Sequence, residues 1–336
     1  MESALDNPIL AEVTRGPVVE SRHRGAAIVV DAEGAVVLSL GDVARPVFPR
    51  SAVKAIQALP LLESGAADRY GLSEAEIALA VSSHSGEPLH AETALGMLRK
   101  AGRDAGCLEC GAHWPSNEAA ARALARSGAE PTALNNNCSG KHAGFICLSC
   151  SLDEDPAGYV KAEHAVQREV RGALEAVTGA PHDPALAGTD GCSIPSYAVP
   201  LQALALGFAR IGTGHGLPPE RARAAARIRR AAAAHPFMVA GTGRFDTRAM
   251  ELLGERLFIK TGAEGVYCGA LPKLGYGIAL KCDDGAGRAA EVAMAALIAR
   301  FLPMSEAETA QFAPLREVVL KNWNGIEVGR VRAAAP

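Results

Sequence analysis

The chain has 336 residues, enough for one large domain or two closely joined ones. Hydrophobic residues make up 49% of it and charged residues 21%, a composition typical of a soluble globular protein with a full core. The net charge of -3 excludes the basic surface expected of a protein that binds nucleic acid or an anionic membrane.

The first residues, MESALDNPILAEVTRG, contain no basic region followed by an apolar one, so we expect no secretory signal. No window reaches the ~18 apolar residues that a membrane-spanning helix needs. These observations predict a cytoplasmic protein, in which the eight cysteines are mostly reduced.

The first predicted element is a hairpin. GAAIVVDAEGAVVLSLG, from Gly25 to Gly41, contains two apolar, β-branched runs on either side of DAEG. The segment FPRSAVKAIQALPLL follows, with Ser51 and Lys54 at S-x-x-K spacing. On a helix that begins at Ser51, the Lys54 amine lies one turn along the same face and is able to accept a serine proton. An N-capping serine followed by a surface lysine has the same spacing, so the motif alone is weak.

A long helical region comes next. Ser73 and Glu76 have the spacing of a capping box at the start of a helix. Further segments with helical periodicity are HAETALGMLRKAG, NEAAARALARSG, YVKAEHAVQREVRGALEAV and PERARAAARIRRAAAA. The basic run Arg221 to Arg230 in the last of these is interpreted as a solvated helix face. Between the first two helices, VSSHSGEPLH offers Ser82, Ser83, His84 and Ser85.

Six of the cysteines in this region and beyond fall into different settings. CLEC (Cys107, Cys110) and CLSC (Cys147, Cys150) suggest a zinc knuckle, but the second pair is apolar with helical spacing, which favours buried thiols. Cys138 in NNNCSGKH and Cys192 in GTDGCSIPSYAVP instead lie in polar segments beside charged groups. Such a setting indicates a thiolate pair at one site, although a plain turn also explains either segment alone.

The chain ends with three strand-like runs, RLFIKTG, GVYCGAL and GYGIALKCD, and a helical segment, RAAEVAMAALIARFL. Lys260, Thr261 and Gly262 place K-T-G on a predicted strand, as in active-site serine enzymes that carry S-x-x-K. The third motif of those enzymes, S-x-N, is absent, and a serine of VSSHSGE is the candidate replacement that pairs with Lys260.

These elements predict a single α/β (α+β) domain over residues 1–336. An antiparallel sheet is expected from about 20–50 and 255–335, with a helical insertion over about 51–254. The order of S-x-x-K and K-T-G points to the serine β-lactamase and penicillin-binding-protein type of fold.

Seven segments together resemble the Rhizobium etli-type (class 3) L-asparaginases of the asparaginase II family. The resemblance covers almost the whole chain and is carried by PRSAVKAIQALP, SSHSGE, NNNCSGKHAGF, GTDGCSIPSYAVPL, HPFMVAGTGRFDT, IKTGAEGVYCGALP and NWNGIEVG. It implies hydrolysis of L-asparagine to L-aspartate and ammonia by a homodimer with a β-lactamase-like fold.

The resemblance also implies roles for particular residues. The expected catalytic groups are two Ser–Lys couples, Ser51 with Lys54 and Ser83 with Lys260. The expected zinc ligands are Cys138, Lys141 and Cys192, and the expected substrate contacts are Arg50, His142 and Asp190. We expect the zinc to position substrate rather than to generate hydroxide.

The expected mechanism begins with attack of Ser51 on the side-chain amide of asparagine, with Lys54 as base. Crowding with Lys260 is expected to lower both lysine pKa values in the direction that this role requires. Two alternatives remain open: a β-lactam or peptide hydrolase, against which the missing S-x-N argues, and a non-catalytic zinc-binding protein, in which Ser–Lys couples have no use.

Overall fold

An antiparallel sheet joins the two ends of the chain in the computed structural model, which describes residues 7–334. The predicted domain therefore includes residues 1–6 and 335–336, which lie outside the described part. Within that part the strands are β1 (Ile9–Arg15), β2 (Val18–Val30), β3 (Val36–Leu40), β4 (Pro46–Val47), β5 (Ala187–Thr189), β6 (Pro195–Tyr197), β7 (Val199–Pro200), β8 (Phe258–Thr261), β9 (Val266–Leu271), β10 (Tyr276–Cys282), β11 (Glu317–Lys321) and β12 (Glu327–Ala333).

The main sheet has the order β11-β12-β1-β2-β10-β9-β8, and β3 also pairs with β2. Strand β2 is 13 residues long, and it holds the sheet together by pairing with β1 through its first half and with β10 through its second. The hairpin predicted at Gly25 to Gly41 is confirmed as β2 and β3. The sheet begins earlier than the predicted position 20, because Ile9–Arg15 pairs with both β2 and β12.

Helices cover the sheet and fill the middle of the chain. They are α1 (Lys54–Gln57), α2 (Leu59–Glu63), α3 (Ala66–Arg69), α4 (Glu74–Ala80), α5 (Pro88–Lys100), α6 (Glu118–Arg126), α7 (Ser139–Ser151), α8 (Ala165–Thr178), α9 (Leu201–Thr213), α10 (Pro219–Ala234), α11 (Pro236–Val239), α12 (Phe245–Leu253), α13 (Gly287–Phe301) and α14 (Glu306–Arg316). The protein is thus a mixed α/β structure. No helix among the described residues has the length and apolar character needed to cross a bilayer.

The core lies where helices α9 and α13 pack on β9 and β10. Every residue of β9 is buried, so this strand has a continuous apolar sequence rather than an alternating one. Gly277 of β10 allows α9 to approach closely, since a Cβ there would lie 2.0 Å from the Ala205 carbonyl oxygen.

The helix predictions are confirmed in type but not in every boundary. The Ser73 capping box is present, with the Glu76 backbone N–H donating to the Ser73 hydroxyl at 3.3 Å. The segment predicted as helical from Tyr159 begins its helix only at Ala165, because the His164 ring caps it by accepting the Val166 N–H.

The interpretation of the basic run as a solvated face is wrong in part. Arg221 forms a bidentate ion pair with Glu63 of α2, at 2.6 and 2.9 Å. Arg227 bonds Asp68 of α3 and Glu74 of α4. The alanine face of α10 packs on this part of the chain, and the packing brings acidic partners that lie far away in sequence.

Candidate active site

Two lysine amines meet at one serine hydroxyl in the interior of the protein. Lys54 Nζ lies 3.0 Å from Ser83 Oγ, and Lys260 Nζ lies 2.8 Å from the same oxygen. The two lysines are 1% and 0% exposed, and Ser83 is 7% exposed. Since charged groups are rarely buried without a specific partner, this arrangement is a candidate site of proton transfer.

Lys54, Ser83 and Lys260 belong to segments that are distant from one another in the sequence. Lys54 begins α1, Ser83 follows the end of α4, and Lys260 lies on β8, the edge strand that pairs with β9. The Ser82 carbonyl oxygen and the Thr261 carbonyl oxygen accept further bonds from Lys54 and Lys260, respectively. Lys260 is therefore held by its own strand as well as by Ser83, whereas Lys54 is held by two consecutive residues, Ser82 and Ser83, of a distant segment.

The surroundings of Lys260 disfavour the protonated form of its amine. Burial lowers its pKa from the ordinary value to about 7, and the neighbouring Lys54 charge lowers it in the same direction. Near neutral pH a substantial fraction of Lys260 is consequently the free amine, the form that accepts a proton.

Ser51 lies on a short 3₁₀ turn, Arg50–Val53, directly before Lys54. Its hydroxyl makes no hydrogen bond with any described residue, and the expected Ser51–Lys54 contact is replaced by the contact of Lys54 with Ser83. Arg50 adopts a positive φ of 51°, a conformation that is costly for a residue with a side chain. Ser51 is half-buried, so it remains reachable from solvent.

The glycine of K-T-G lies directly against this turn. A Cβ on Gly262 would lie 2.8 Å from the Pro49 carbonyl oxygen and 3.3 Å from the Ala52 nitrogen. The absence of a side chain at this position thus lets the end of β8 pack beside Ser51.

A second group of side chains adjoins the lysines. Cys138 Sγ lies 3.1 Å from Lys54 Nζ, and Lys141 Nζ lies 3.0 Å from Cys192 Sγ, with all four residues buried. The Cys192 thiol donates toward Cys138 and lowers the pKa of that thiol well below its ordinary value, against the opposing effect of burial. The nearby Lys54 and Lys141 charges add to this stabilisation of a thiolate.

Lys141 places a positive charge beside these sulfurs. Burial by itself lowers the pKa of its amine, but the charges on Cys192 and Cys138 outweigh burial and raise it. Two sulfurs and one amine therefore converge in a water-excluded space, a donor set that fits a borderline-soft ion such as zinc. No cluster of three or more His, Cys, Asp or Glu side chains suited to a metal occurs in residues 7–334, and this set contains only two such residues.

His142 presents an unpartnered nitrogen in the same region. The Tyr159 hydroxyl accepts the Glu109 N–H at 2.9 Å and lies 2.6 Å from His142 Nδ1, and we assign its proton to that nitrogen because the hydroxyl has no other acceptor among the described residues. Burial lowers the pKa of His142 well below its ordinary value, which keeps the ring neutral, so this assignment places the ring proton on Nε2. That Nε2 has no partner within the described residues. Sequence reasoning missed Tyr159, which has no motif around it.

Arg50 and Asp190 form an ion pair at the edge of the site. Arg50 Nε lies 3.0 Å from Asp190 Oδ2, and both side chains are partly exposed. Burial raises the pKa of Asp190, but the Arg50 hydrogen bond and the charge of Lys141 reverse this effect and lower it. Ser193, close to Asp190, has a φ of 76°, a second strained residue in the site.

His84 ties two of the contributing segments together. Its Nδ1 accepts the Gly86 N–H at 3.1 Å, so Nε2 carries the proton and donates to Ser139 Oγ at 2.9 Å. The His84 backbone N–H also donates to the Asn137 carbonyl oxygen. The segment that carries Ser83 is therefore fixed against the segment that carries Cys138 and Lys141.

The cysteines of the C-x-x-C pairs make no hydrogen bond to this cluster within the described residues, although Cys110 is close enough for the charges of Cys138, Lys141 and Lys54 to act on it. Cys147 is fully buried in α7, and Cys150 is partly buried. Burial raises the pKa of Cys147 to about 12, which keeps the thiol neutral. Cys110 is buried with its Sγ directed to the Ala133 carbonyl oxygen. These settings favour packing over ligation.

Comparison with known proteins identifies a matching family and two solved structures of low similarity. The sequence model of the family described as L-asparaginase II matches residues 11–333. Two solved structures, described as Mglu and as Mglu in its tris and glutamate form, are 16% and 17% identical, each with a TM-score of 0.37. The matches cover 84% and 88% of this chain, and 69% and 63% of those chains. No curated protein matches the chain.

Proposed function

The chain belongs to the L-asparaginase II family, and from this premise we propose that it is a Rhizobium etli-type L-asparaginase that hydrolyses L-asparagine to L-aspartate and ammonia. The observation that carries the proposal is the meeting of the Lys54 and Lys260 amines at Ser83 Oγ, with Lys54 three residues after Ser51 in the chain. An amidohydrolase with a serine nucleophile needs a base, and this pair supplies one.

We assign the nucleophile to Ser51. Its hydroxyl is half-buried and has no partner among residues 7–334, whereas the Ser83 hydroxyl is enclosed by two amines. Ser51 is also the more accessible of the two serines, since Ser83 is buried. Ser83 is suited to pass a proton between Lys54 and Lys260.

The reaction then proceeds in two halves. Ser51 Oγ forms a bond to the amide carbon while its proton passes to Lys54, and through Ser83 and Lys260 the departing nitrogen receives a proton and leaves as ammonia. The resulting β-aspartyl ester is attacked by water, whose proton returns to Ser51 through the same groups. The Lys260 pKa of about 7 suits both acceptance and return of the proton.

The ion pair at the edge of the site matches the charges of the substrate. Asp190 is suited to the α-ammonium group of asparagine and Arg50 to its α-carboxylate, since each is partly exposed and carries the opposite charge. The unpartnered His142 Nε2–H is available to an oxygen of the substrate.

Zinc is the proposed metal, and Cys138, Lys141 and Cys192 are the residues that would hold it. A bound zinc ion supplies a fixed positive charge that positions substrate. Because an ammonium has no lone pair, Lys141 ligates only after losing a proton, so zinc affinity should rise with pH.

A serine β-lactamase-like fold is the architecture that we propose for this site. Its support is local: Ser51 and Lys54 lie on consecutive helical turns after the first hairpin, and the K-T-G segment of β8 packs against them through Gly262. The motif order and this contact agree with that of serine–lysine acyl-transfer enzymes.

Acyl-enzyme trapping tests the assignment of the nucleophile. Enzyme quenched during turnover of a slow asparagine analogue should carry the acyl group on the peptide that contains Ser51, as seen by mass spectrometry. Ser51→Ala should reduce ammonia release by at least about 10³-fold, whereas Ser127→Ala at an exposed helix end should not.

Two results would contradict the proposal. An acyl group on Ser83 would reverse the roles of the two serines. Turnover of nitrocefin without release of ammonia from asparagine would make the protein a β-lactam hydrolase instead.

A further inference from the structure

Two buried ammonium groups at one oxygen require compensating negative charge. Lys54 has the Cys138 sulfur at 3.1 Å. Within residues 7–334, Lys260 has only neutral acceptors within hydrogen-bond distance, the Ser83 hydroxyl and the Thr261 carbonyl oxygen, both at 2.8 Å. Since an unpaired buried charge is costly, the carboxylate whose charge acts on Lys260 is of interest.

That carboxylate is Asp246, in the first turn of α12. Asp246 is 1% exposed, and so is Tyr267 of β9, whose hydroxyl donates to Asp246 Oδ1. The Thr261 backbone N–H also lies close enough to the Asp246 carboxylate to lower its pKa, against the larger opposing effect of burial. In the sheet, Thr261 pairs with Tyr267, and the adjacent Lys260 pairs with Cys268.

These contacts fix Asp246 against the strand that carries Lys260. Its hydrogen-bond donor, Tyr267, is the cross-strand partner of Thr261, the residue after Lys260. A carboxylate held in this way in the interior has little freedom to move. Its charge therefore acts on the Lys260 amine from a constant position.

We propose that Asp246, held by Tyr267, is a positioning residue of the active site that stabilises the protonated form of Lys260 during proton transfer. The inference rests on the proposed function, because it gives Asp246 a role in the same reaction. Both residues lie in segments that carry the family resemblance, HPFMVAGTGRFDT and IKTGAEGVYCGALP, but no residue spacing in the sequence indicates a role for either.

The charges around Lys260 define the expected direction of the effect. Burial, Lys54 and Arg244 lower the pKa of Lys260, whereas Asp246 and Cys138 raise it. Asp246 itself faces Lys260, Tyr267, Arg244 and the half-buried Glu291. Removal of the Asp246 charge should therefore lower the Lys260 pKa further, so that the amine stays neutral at lower pH.

The pH dependence of kcat/KM for L-asparagine tests this role. In Asp246→Asn the acidic limb should move to lower pH by about one unit, and the plateau of kcat should fall because a less basic amine is a weaker proton acceptor. Asp246→Glu keeps the charge and should restore the position of the limb.

Glu291→Gln is the matched control. Glu291 is a half-buried carboxylate whose pKa the Asp246 charge raises in addition to burial, and the charges that act most strongly on Lys260 do not include it. Its removal should leave the limb in place. A limb that is unchanged in a folded Asp246→Asn enzyme, or an equal shift in Glu291→Gln, would overturn the proposal.

A second measurement needs no substrate. The chain contains only eight lysines, so ¹³Cε labelling of lysine and NMR titration give a small set of signals, with Lys260 assigned by Lys260→Arg. The Lys260 midpoint should fall in Asp246→Asn. If the midpoint falls but wild-type protein releases no ammonia from asparagine, the proposed function fails while the electrostatic role of Asp246 stands.

Tyr267→Phe covers the case in which Asp246→Asn does not fold. The Tyr267 hydroxyl lowers the pKa of Asp246, so its loss reduces the negative charge beside Lys260. The Lys260 midpoint should then move in the same direction but by less. A folded Tyr267→Phe protein with an unchanged Lys260 midpoint would count against the proposal.

Discussion

The ionisation of Lys260 is the residue-scale property on which activity depends most directly. Its amine is fully buried and close to Lys54, and burial followed by that charge lowers its pKa to about 7. A lysine in water has a pKa near 10.4 and is almost wholly protonated at neutral pH. The protein environment thus converts an ordinary cation into a usable base.

We therefore predict an acidic limb in the rate. Between pH 5 and 9, kcat/KM for L-asparagine should fall toward acid with an apparent midpoint near the Lys260 pKa of about 7, because protonated Lys260 cannot accept a proton. Circular dichroism at each pH serves as the control for unfolding. A rate that stays flat down to pH 5 in folded enzyme would exclude Lys260 as a base.

The cysteines also differ at the scale of single residues. Cys138 contacts Lys54 and has a lowered pKa, whereas burial raises the pKa of Cys147 to about 12. A cysteine binds a metal as the thiolate, so the environment of Cys138 favours ligation and that of Cys147 does not.

Metal content should separate these two cysteines. Cys138→Ala should lose most of its zinc, measured by inductively coupled plasma mass spectrometry after dialysis. Cys147→Ala should keep its zinc but lose about 1–2 kcal/mol of unfolding free energy from the core. Loss of zinc from Cys147→Ala alone would instead restore the C-x-x-C interpretation.

At the scale of elements, the site depends on the contact between β8 and the turn that carries Ser51. Gly262 allows this contact, because a Cβ there would meet the Pro49 carbonyl oxygen at 2.8 Å and the Val266 Cβ at 3.2 Å. Backbone atoms cannot move aside as a flexible side chain does, so the turn itself must shift.

Gly262→Ala should consequently reduce activity more than stability. We expect kcat/KM to fall about 10²-fold, since a displacement of roughly 1 Å at the nucleophile is enough for such a loss. Gly172→Ala in α8, where nothing lies within 4 Å of the added Cβ, is the control. It should gain up to about 1 kcal/mol and keep its activity. Equal activity in both variants would contradict the importance of this contact.

Tertiary packing gives the arginines of helix α10 partners that its sequence does not predict. Its sequence, rich in arginine and alanine, has the composition of an exposed helix. In the structure Arg221 bonds Glu63, and Arg227 bonds Asp68 and Glu74. The same arginines that suggest solvent exposure therefore connect α10 to the helices that lead to the site.

At the scale of the whole molecule, one edge of the main sheet is open. Strand β11 lies at the end of the strand order, and Val318 and Val319 on it are 38% and 40% exposed. Trp323 and Ile326, in the turn between β11 and β12, are also exposed. An open edge with apolar side chains favours association.

We predict that the protein is a homodimer, as its resemblance to the Rhizobium etli-type enzymes implies. Light scattering after size exclusion should give twice the 34.7 kDa of one chain. Measurement over a range of concentrations distinguishes a stable dimer from weak association. A mass of one chain at every concentration would rule out the dimer.

The sequence by itself determined the type of most elements and the identity of the family. Apolar alternation, the capping box at Ser73 and the K-T-G motif are local patterns. Local patterns can be recognised in the sequence without knowledge of the fold. Seven motifs spread over the chain pointed to the family that matches residues 11–333.

Only the tertiary structure decided which side chains meet. Spacing along the helix paired Lys54 with Ser51, but the fold places its amine on Ser83, 29 residues away. It also placed Tyr159 on His142, and Asp246 where its charge acts on Lys260, and no spacing in the sequence indicated either pair. Hydrogen bonds and buried charges depend on distances across the core, and sequence separation carries no information about those distances.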